Sequence, residues 1–198
     1  MESLFIILLG LTSLVGVTFI VERGLALRWN KVLPSEVAAA VEACREPGDL
    51  ASLRRVCEQY PSALSSLLVV AADHLDWPKA ENVDAVQTRA RREIMRLERG
   101  LVVLEIVVGI APLLGLEGTI FGMMILFGDM GMNATPDAST LAKGISQILN
   151  STLLGLLIAI PALIAWSYYN KKVENLAVEM ETLCTEFMRR QYRHRSAE

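Results

Sequence analysis

Cysteine is scarce in this 198-residue chain. Cys44, Cys57 and Cys184 make an odd number with no CxxC pair, which speaks against a disulfide framework and against a zinc site. Histidine is scarcer, and His74 and His194 stand isolated. Solvated or capping histidines are therefore the expectation, with no metal and no cofactor. Positive charge is not in excess either. A formal net charge of −3 provides no basic face for nucleic acid. Low-complexity sequence and repeats of fixed period are absent. Serines, histidines and acids occur without a nucleophile elbow, a phosphate loop or a metal-ligand spacing, so the chain is not expected to be an enzyme.

What the chain has in abundance is apolar sequence, 53% of its residues, gathered into runs that exclude charge. Of nineteen Lys and Arg, twelve lie between Glu22 and Gly100, six follow Tyr169, and Lys143 stands alone. Ser3 to Val21 is an uncharged run of nineteen, close to the roughly 20 residues that span hydrocarbon. It lacks the basic start and small-residue cleavage site of a signal peptide, and Arg23, Arg28 and Lys31 follow it. The expectation is an uncleaved anchor with its N-terminus outside. Thr12, Ser13, Gly16 and Thr18 suit either packing on another helix or hydroxyls bonded to their own backbone.

Residues 1–21 are thus read as the first transmembrane helix and 22–80 as a cytoplasmic helical region. In that region Pro34-Ser35-Glu36 opens a helix, Glu46-Pro47-Gly48-Asp49 breaks it, Asp49 can cap the next, and another runs on from Ser62. Residues 81–128 are read as one helix continuous with the second span. Val83, Val86, Ala90, Ile94, Leu97, Leu101 and Leu104 recur at threes and fours among arginines that stop at Arg99. Residues 129–140, turn-rich and without Lys or Arg, form an outer loop. Residues 141–170 form the third span, whose apolar run is Ile145 to Tyr169, and 171–198 a cytoplasmic C-terminal helix with a basic, frayed tail from Arg189. The apolar stripe from Val173 to Phe187 is expected to pack on the helix of Glu81–Arg99. The fold class is all-α membrane, three spans with long cytoplasmic helical extensions.

The second and third spans carry the candidate site. Each holds a hydroxyl near its middle, Thr119 and Thr152, beside small residues: Gly115, Gly118 and Gly122 in one, Gly155 in the other. Small residues let helices approach closely, a main source of association in lipid. Residues seven apart differ by only about 20° on a helix. Glu105, Pro112, Thr119 and Leu126 therefore share one face, and Ile145, Thr152, Ala159 and Trp166 another. If both faces meet a common interior, it is an apolar pore wall with two hydroxyls at mid-depth and Glu105 near the cytoplasmic mouth. Pro112 and Pro161 are candidate kinks, and Pro161 is expected to pack between helices with the glycines. Glu117 points about 200° away from Thr119, toward a neighbouring helix or subunit. An acid inside a span costs at least ~2.5 kcal/mol and is a functional candidate by default. Two roles are open to it: a protonated structural acid bonded to Asn150, Ser151 or Thr152, or a direct proton-pathway acid.

Ala111-Pro112-Leu113-Leu114-Gly115-Leu116 with Gly118-Thr119-Ile120-Phe121-Gly122-Met123 resembles the signature of the MotA/TolQ/ExbB proton-channel family. Thr152-Leu153-Leu154-Gly155-Leu156, Ala159-Ile160-Pro161-Ala162 and Tyr169-Asn170 resemble its third-span signature, and Val21-Glu22-Arg23 is similar to its first-span exit. Three spans favour the ExbB/TolQ branch. The resemblance implies a homo-pentamer in the bacterial inner membrane, N-terminus periplasmic and C-terminus cytoplasmic, whose second and third spans line a pore. It implies that the pore encloses a dimer of single-span ExbD- or TolR-like proteins. Their intramembrane aspartate takes and releases protons opposite Thr119 and Thr152, driving work passed to a TonB- or TolA-like protein. Two positions depart from the family pattern, which usually has an apolar residue at Glu117 and often an acid at Gln147. The competing expectation is a structural membrane scaffold that conducts nothing.

Overall fold

A computed structural model describes residues 2–44, 49–132 and 138–195. Every regular element among them is helical: α1 (Glu2–Ala26), α2 (Trp29–Val32), α3 (Ser35–Ala43), α4 (Leu50–Gln59), α5 (Ala63–Asp73), α6 (Lys79–Glu98), α7 (Leu101–Met132) and α8 (Ala138–Arg195). Three are long and apolar enough to cross a membrane, over Phe5–Ala26, Leu101–Gly128 and part of Leu141–Arg193. A helix suits hydrocarbon because it satisfies its own backbone N–H and C=O groups. The chain divides into two compact units, Met1–Arg23 with Gly100–Tyr168, and Gly24–Arg99 with Tyr169–Glu198.

The first unit holds the apolar parts of α1, α7 and α8, and its outward side chains are large and greasy. Leu14 is 67% exposed, Leu113 63% and Leu157 65%, surface that only lipid or another apolar protein can cover. α1 packs through Gly16, where an added Cβ would lie 3.3 Å from Val107, and through Phe5, whose ring centroid is 5.8 Å from that of Phe121. The hydroxyls of Thr12 and Thr18 donate to the carbonyls of Leu8 and Leu14, at 2.8 and 2.7 Å. Of the two readings open for this run, the glycine makes the packing contact and the threonines serve their own helix.

The second unit has a conventional apolar core. Val37 and Val41 of α3, Leu53 and Cys57 of α4, Leu64, Leu67 and Leu68 of α5, Val86 of α6 and Leu176, Met180, Cys184 and Phe187 of α8 are buried together. Ser62 caps α5, its hydroxyl accepting from Ser65 N–H at 3.1 Å. Two polar devices fasten the C-terminal end of α8. Arg190 donates to the carbonyls of Val41 and Glu42, at 3.5 and 3.2 Å, supplying partners that the last turn of α3 lacks. Asn82, fully buried, donates to Ala71 O and to the Tyr192 hydroxyl, both at 3.0 Å. That hydroxyl donates in turn to Trp77 O at 3.0 Å.

Several expected boundaries differ. The helix expected without a break over 81–128 is interrupted at Arg99-Gly100. The break falls at a glycine, a residue of poor helix propensity, over which the flexible Arg23 side chain lies. Part of the expected loop 129–140 is helical, since α7 continues to Met132 and α8 begins at Ala138. The loop's middle, Asp137 included, lies outside the described residues, as does the Glu46-Pro47-Gly48 break. The third span and the C-terminal helix are one element, because no breaker separates Tyr169 from Arg195. The tail expected to fray from Arg189 is instead held through Arg190 and Tyr192. Asp49 does not cap α4, since its own backbone is already helical (φ −77°, ψ −12°) and its side chain makes no cap bond.

Candidate pore-lining site

α7 and α8 approach so closely that backbone meets backbone. A Cβ on Gly115 would stand 2.8 Å from Ser151 O and 3.1 Å from Thr152 Cα; one on Gly155 would stand 2.6 Å from Ala111 O and 3.1 Å from Gly115 Cα. Gly118 meets Ser151, Gly122 meets Ile148, and Gly144 meets Leu126. Higher numbers on α7 pair with lower numbers on α8, so the two run antiparallel. The contact residues are Ala111, Gly115, Gly118 and Gly122 on one helix, and Gly144, Ile148, Ser151 and Gly155 on the other. Both sets follow the same 4–3–4 spacing, which keeps a stripe on one face. The packing glycines expected from the sequence all sit in this contact. Ala111, Gly144, Ile148 and Ser151 were not expected as packing residues, and the repeated spacing is the signal that marks them.

This shared pattern places the threonines. At about 100° per residue, Thr119 and Thr152 each lie one step past Gly118 and Ser151, roughly 70° from the contact line. α1 lies on the other side of that line, where Phe5 touches Phe121. Because the helices are antiparallel, both threonines fall on the same flank of the pair, the one opposite α1. Both are half-buried. The Thr119 hydroxyl donates to Leu116 O at 2.6 Å, leaving its lone pairs free to accept. The Thr152 hydroxyl reaches across to Gly115 O at 3.4 Å, a long bond readily exchanged for a better acceptor.

The remaining expected residues spread around this flank. Along α7, Glu105 is exposed, while Pro112, Thr119 and Leu126 are half-buried, and Leu126 rests on Gly144. Along α8, Ile145 is exposed, Thr152 half-buried, and Ala159 only 6% exposed. Ala159 is thus turned into the packing of its own protomer, whereas Ile145 and Thr152 are not. The physical reason is the drift of about 20° per seven residues, which winds each line of residues into the helix contact. Pro161, expected to pack between helices, is exposed, whereas Ala162 beside it is 2% exposed and extends the α8 contact stripe. Glu117 is exposed and makes no hydrogen bond within the chain to Asn150, Ser151 or Thr152. If it is a structural acid, its partner lies outside this protomer.

Among the described residues, three membrane-length helices, two of them locked through their backbones with hydroxyls on a common flank, define a polytopic α-helical membrane protein. Sequence comparison makes the class specific. Residues 63–182, more than half of the chain and the whole of the site, match the model of the MotA/TolQ/ExbB proton channel family, and the chain belongs to that family. It is 32% identical over 117 residues to the biopolymer transport protein ExbB of Helicobacter pylori strain J99, covering 59% of this chain and 76% of that one. It is 31% identical over 150 residues to an ExbB homolog of Methanothermobacter thermautotrophicus, covering 76% of this chain and 53% of that one. To the Tol-Pal system protein TolQ of Pseudomonas aeruginosa it is 34% identical over 103 residues, covering 52% and 45%. The chain thus spans about half the length of two of these three relatives.

Proposed function

We propose that this chain is the stationary housing of an inner-membrane motor that converts proton flow into mechanical work for the cell envelope. In this reading several copies, five by resemblance, close into a ring with α7 and α8 as its inner wall and α1 outside. The N-terminus faces the periplasm and the C-terminus the cytoplasm, as the distribution of Lys and Arg favours. A dimer of single-span ExbD- or TolR-like proteins occupies the lumen, and a TonB- or TolA-like protein receives the work. The housing carries no catalytic group and makes or breaks no covalent bond.

The observation that carries this reading is the placement of Thr119 and Thr152 on one flank, opposite α1, in otherwise apolar surroundings. A carboxyl group brought to that depth is costly to ionise in hydrocarbon. A hydroxyl can accept from the protonated acid and, once turned, donate to the carboxylate, so it eases both states of a group that must alternate. Hydrogen bonds to charged groups contribute about 1.5–3 kcal/mol each. Bonds to neutral groups contribute about 0.5–1.5 kcal/mol, so the difference between the two states, about 1–1.5 kcal/mol, shifts the protonation equilibrium by roughly 10-fold toward the carboxylate.

The test is purification of the full-length chain from its own membranes in mild detergent. The expected product is an oligomer that carries a small single-span protein with a carboxyl group inside its transmembrane segment. A monomer with no such companion would overturn the proposal. The Thr152–Gly115 bond supports a second reading, a scaffold in which the hydroxyls only close helix contacts. That reading expects Thr152→Val to weaken assembly before it affects any proton-driven process.

A further inference from the structure

Glu117 and Asn150 occupy equivalent places in the two inner helices. Glu117 precedes Gly118 and Asn150 precedes Ser151, and Gly118 and Ser151 touch. Each is therefore turned about 130° from the α7–α8 contact line, away from the other helix of its own pair and toward the α1 side. The two differ in depth by only about 3 Å, one residue's rise on each helix. Both are exposed, and neither bonds to the other within the chain. Asn150 stands at a crevice of about 240 Å³ that also presents Gln147 and Ser151 among the apolar side chains of Phe5, Phe121 and Leu154.

A ring whose axis runs along the membrane normal keeps every protomer at the same depth, and its contacts are head-to-tail. With α7 and α8 side by side in the inner wall, the free flank of α7 meets the free flank of the next protomer's α8. Glu117 lies on the first of these flanks and Asn150 on the second. An intramembrane acid needs a polar partner, and here an amide is offered at reachable depth on the surface that ring closure brings opposite.

We propose that Glu117 of each protomer hydrogen-bonds Asn150 of its neighbour, so that the acid is an inter-subunit clamp set apart from the proton path on the Thr119 flank. The inference rests on the ring assembly proposed above. A carboxylic acid or its amide analogue matches a carboxamide in donors and acceptors, whereas an alkyl side chain leaves Asn150 unpartnered.

Two differently tagged copies of the full-length chain, one with Glu117→Cys and one with Asn150→Cys, are co-expressed and oxidised in native membranes. A reductant-sensitive dimer bearing both tags is the expected result, and pairing Thr119→Cys with Asn150→Cys should yield none. Native mass spectrometry of the unsubstituted protein separates the two levels of failure. A lone protomer would remove the ring itself, whereas an intact ring without the dual-tag dimer would remove only the clamp. Glu117→Ala and Asn150→Ala should each speed oligomer dissociation by about threefold or more, the double variant should be no worse than either single, and Glu117→Gln should stay near the parent. Additive losses, or Glu117→Gln behaving as Glu117→Ala does, would point to a lipid or other partner and overturn the pairing.

Discussion

Replacing Gly155 with alanine puts a methyl group where the backbone of α7 already stands. The new Cβ would lie 2.6 Å from Ala111 O, 3.1 Å from Gly115 Cα and 3.3 Å from Gly115 N, and backbone cannot swing aside as a side chain does. To reach the 3.4 Å at which ordinary contact begins, the helices must part by about 0.8 Å. That separation also carries the Thr152–Gly115 bond, already 3.4 Å long, beyond hydrogen-bonding distance. Overpacking of this kind costs about 1–3 kcal/mol, and an interhelical bond in lipid is worth about 0.6, so the expected loss is roughly 2–4 kcal/mol. Gly109 provides the control. Nothing lies within 4 Å of its added Cβ, and the same substitution there should help by up to about 1 kcal/mol through helix propensity. The assay is unfolding of the purified protein by a denaturing detergent in mixed micelles. Trp166 serves as reporter, with Trp29 and Trp77 changed to Phe. Gly155→Ala should unfold at a lower detergent fraction and Gly109→Ala at an equal or higher one. Equal behaviour of the two would refute the close-packed interface.

Two further predictions concern the second unit. Asn82→Leu removes donors from Ala71 O and the Tyr192 hydroxyl in a fully buried site, and should cost about 1–3 kcal/mol in thermal unfolding. It should also raise protease sensitivity at the C-terminal end of α8. Burial pushes the Cys184 thiol up to about 12, with nearby Cys57 adding to the effect. Its stabilisation is therefore complete below the unfolded value of 9.0 and fades as pH rises toward 12. Melting temperature should fall more gently between pH 9 and pH 11 in Cys184→Ala than in the parent, and parallel slopes would contradict this.

Much of the architecture was legible because bilayer physics writes it in long uncharged runs. Three spans and the amphipathic stripe ending in Phe187 need only length and periodicity. Local breakers were read less well. Asp49 has the right chemistry for a cap, but its backbone had already entered the helix. The basic tail from Arg189 looked solvated, yet Arg190 and Tyr192 find carbonyls on α3 and on the segment between α5 and α6, contacts no local pattern announces. The flank bearing Thr119 and Thr152 follows from helical geometry once the contact stripe is known. The burial of Ala159 within the protomer reflects the same geometry, since drift turns a seven-residue line toward the contact over two heptads.

Proton-driven work by intact cells or vesicles, measured with the parent, Thr119→Val, Thr152→Val and the matching Ser variants, probes the two hydroxyls themselves. Valine keeps the shape and removes the hydrogen bond, while serine keeps the bond. Serine variants should retain most of the work, and valine variants should lose it with the oligomer still intact. Full work in both valine variants would contradict a lumen in which these hydroxyls serve a titrating carboxyl group.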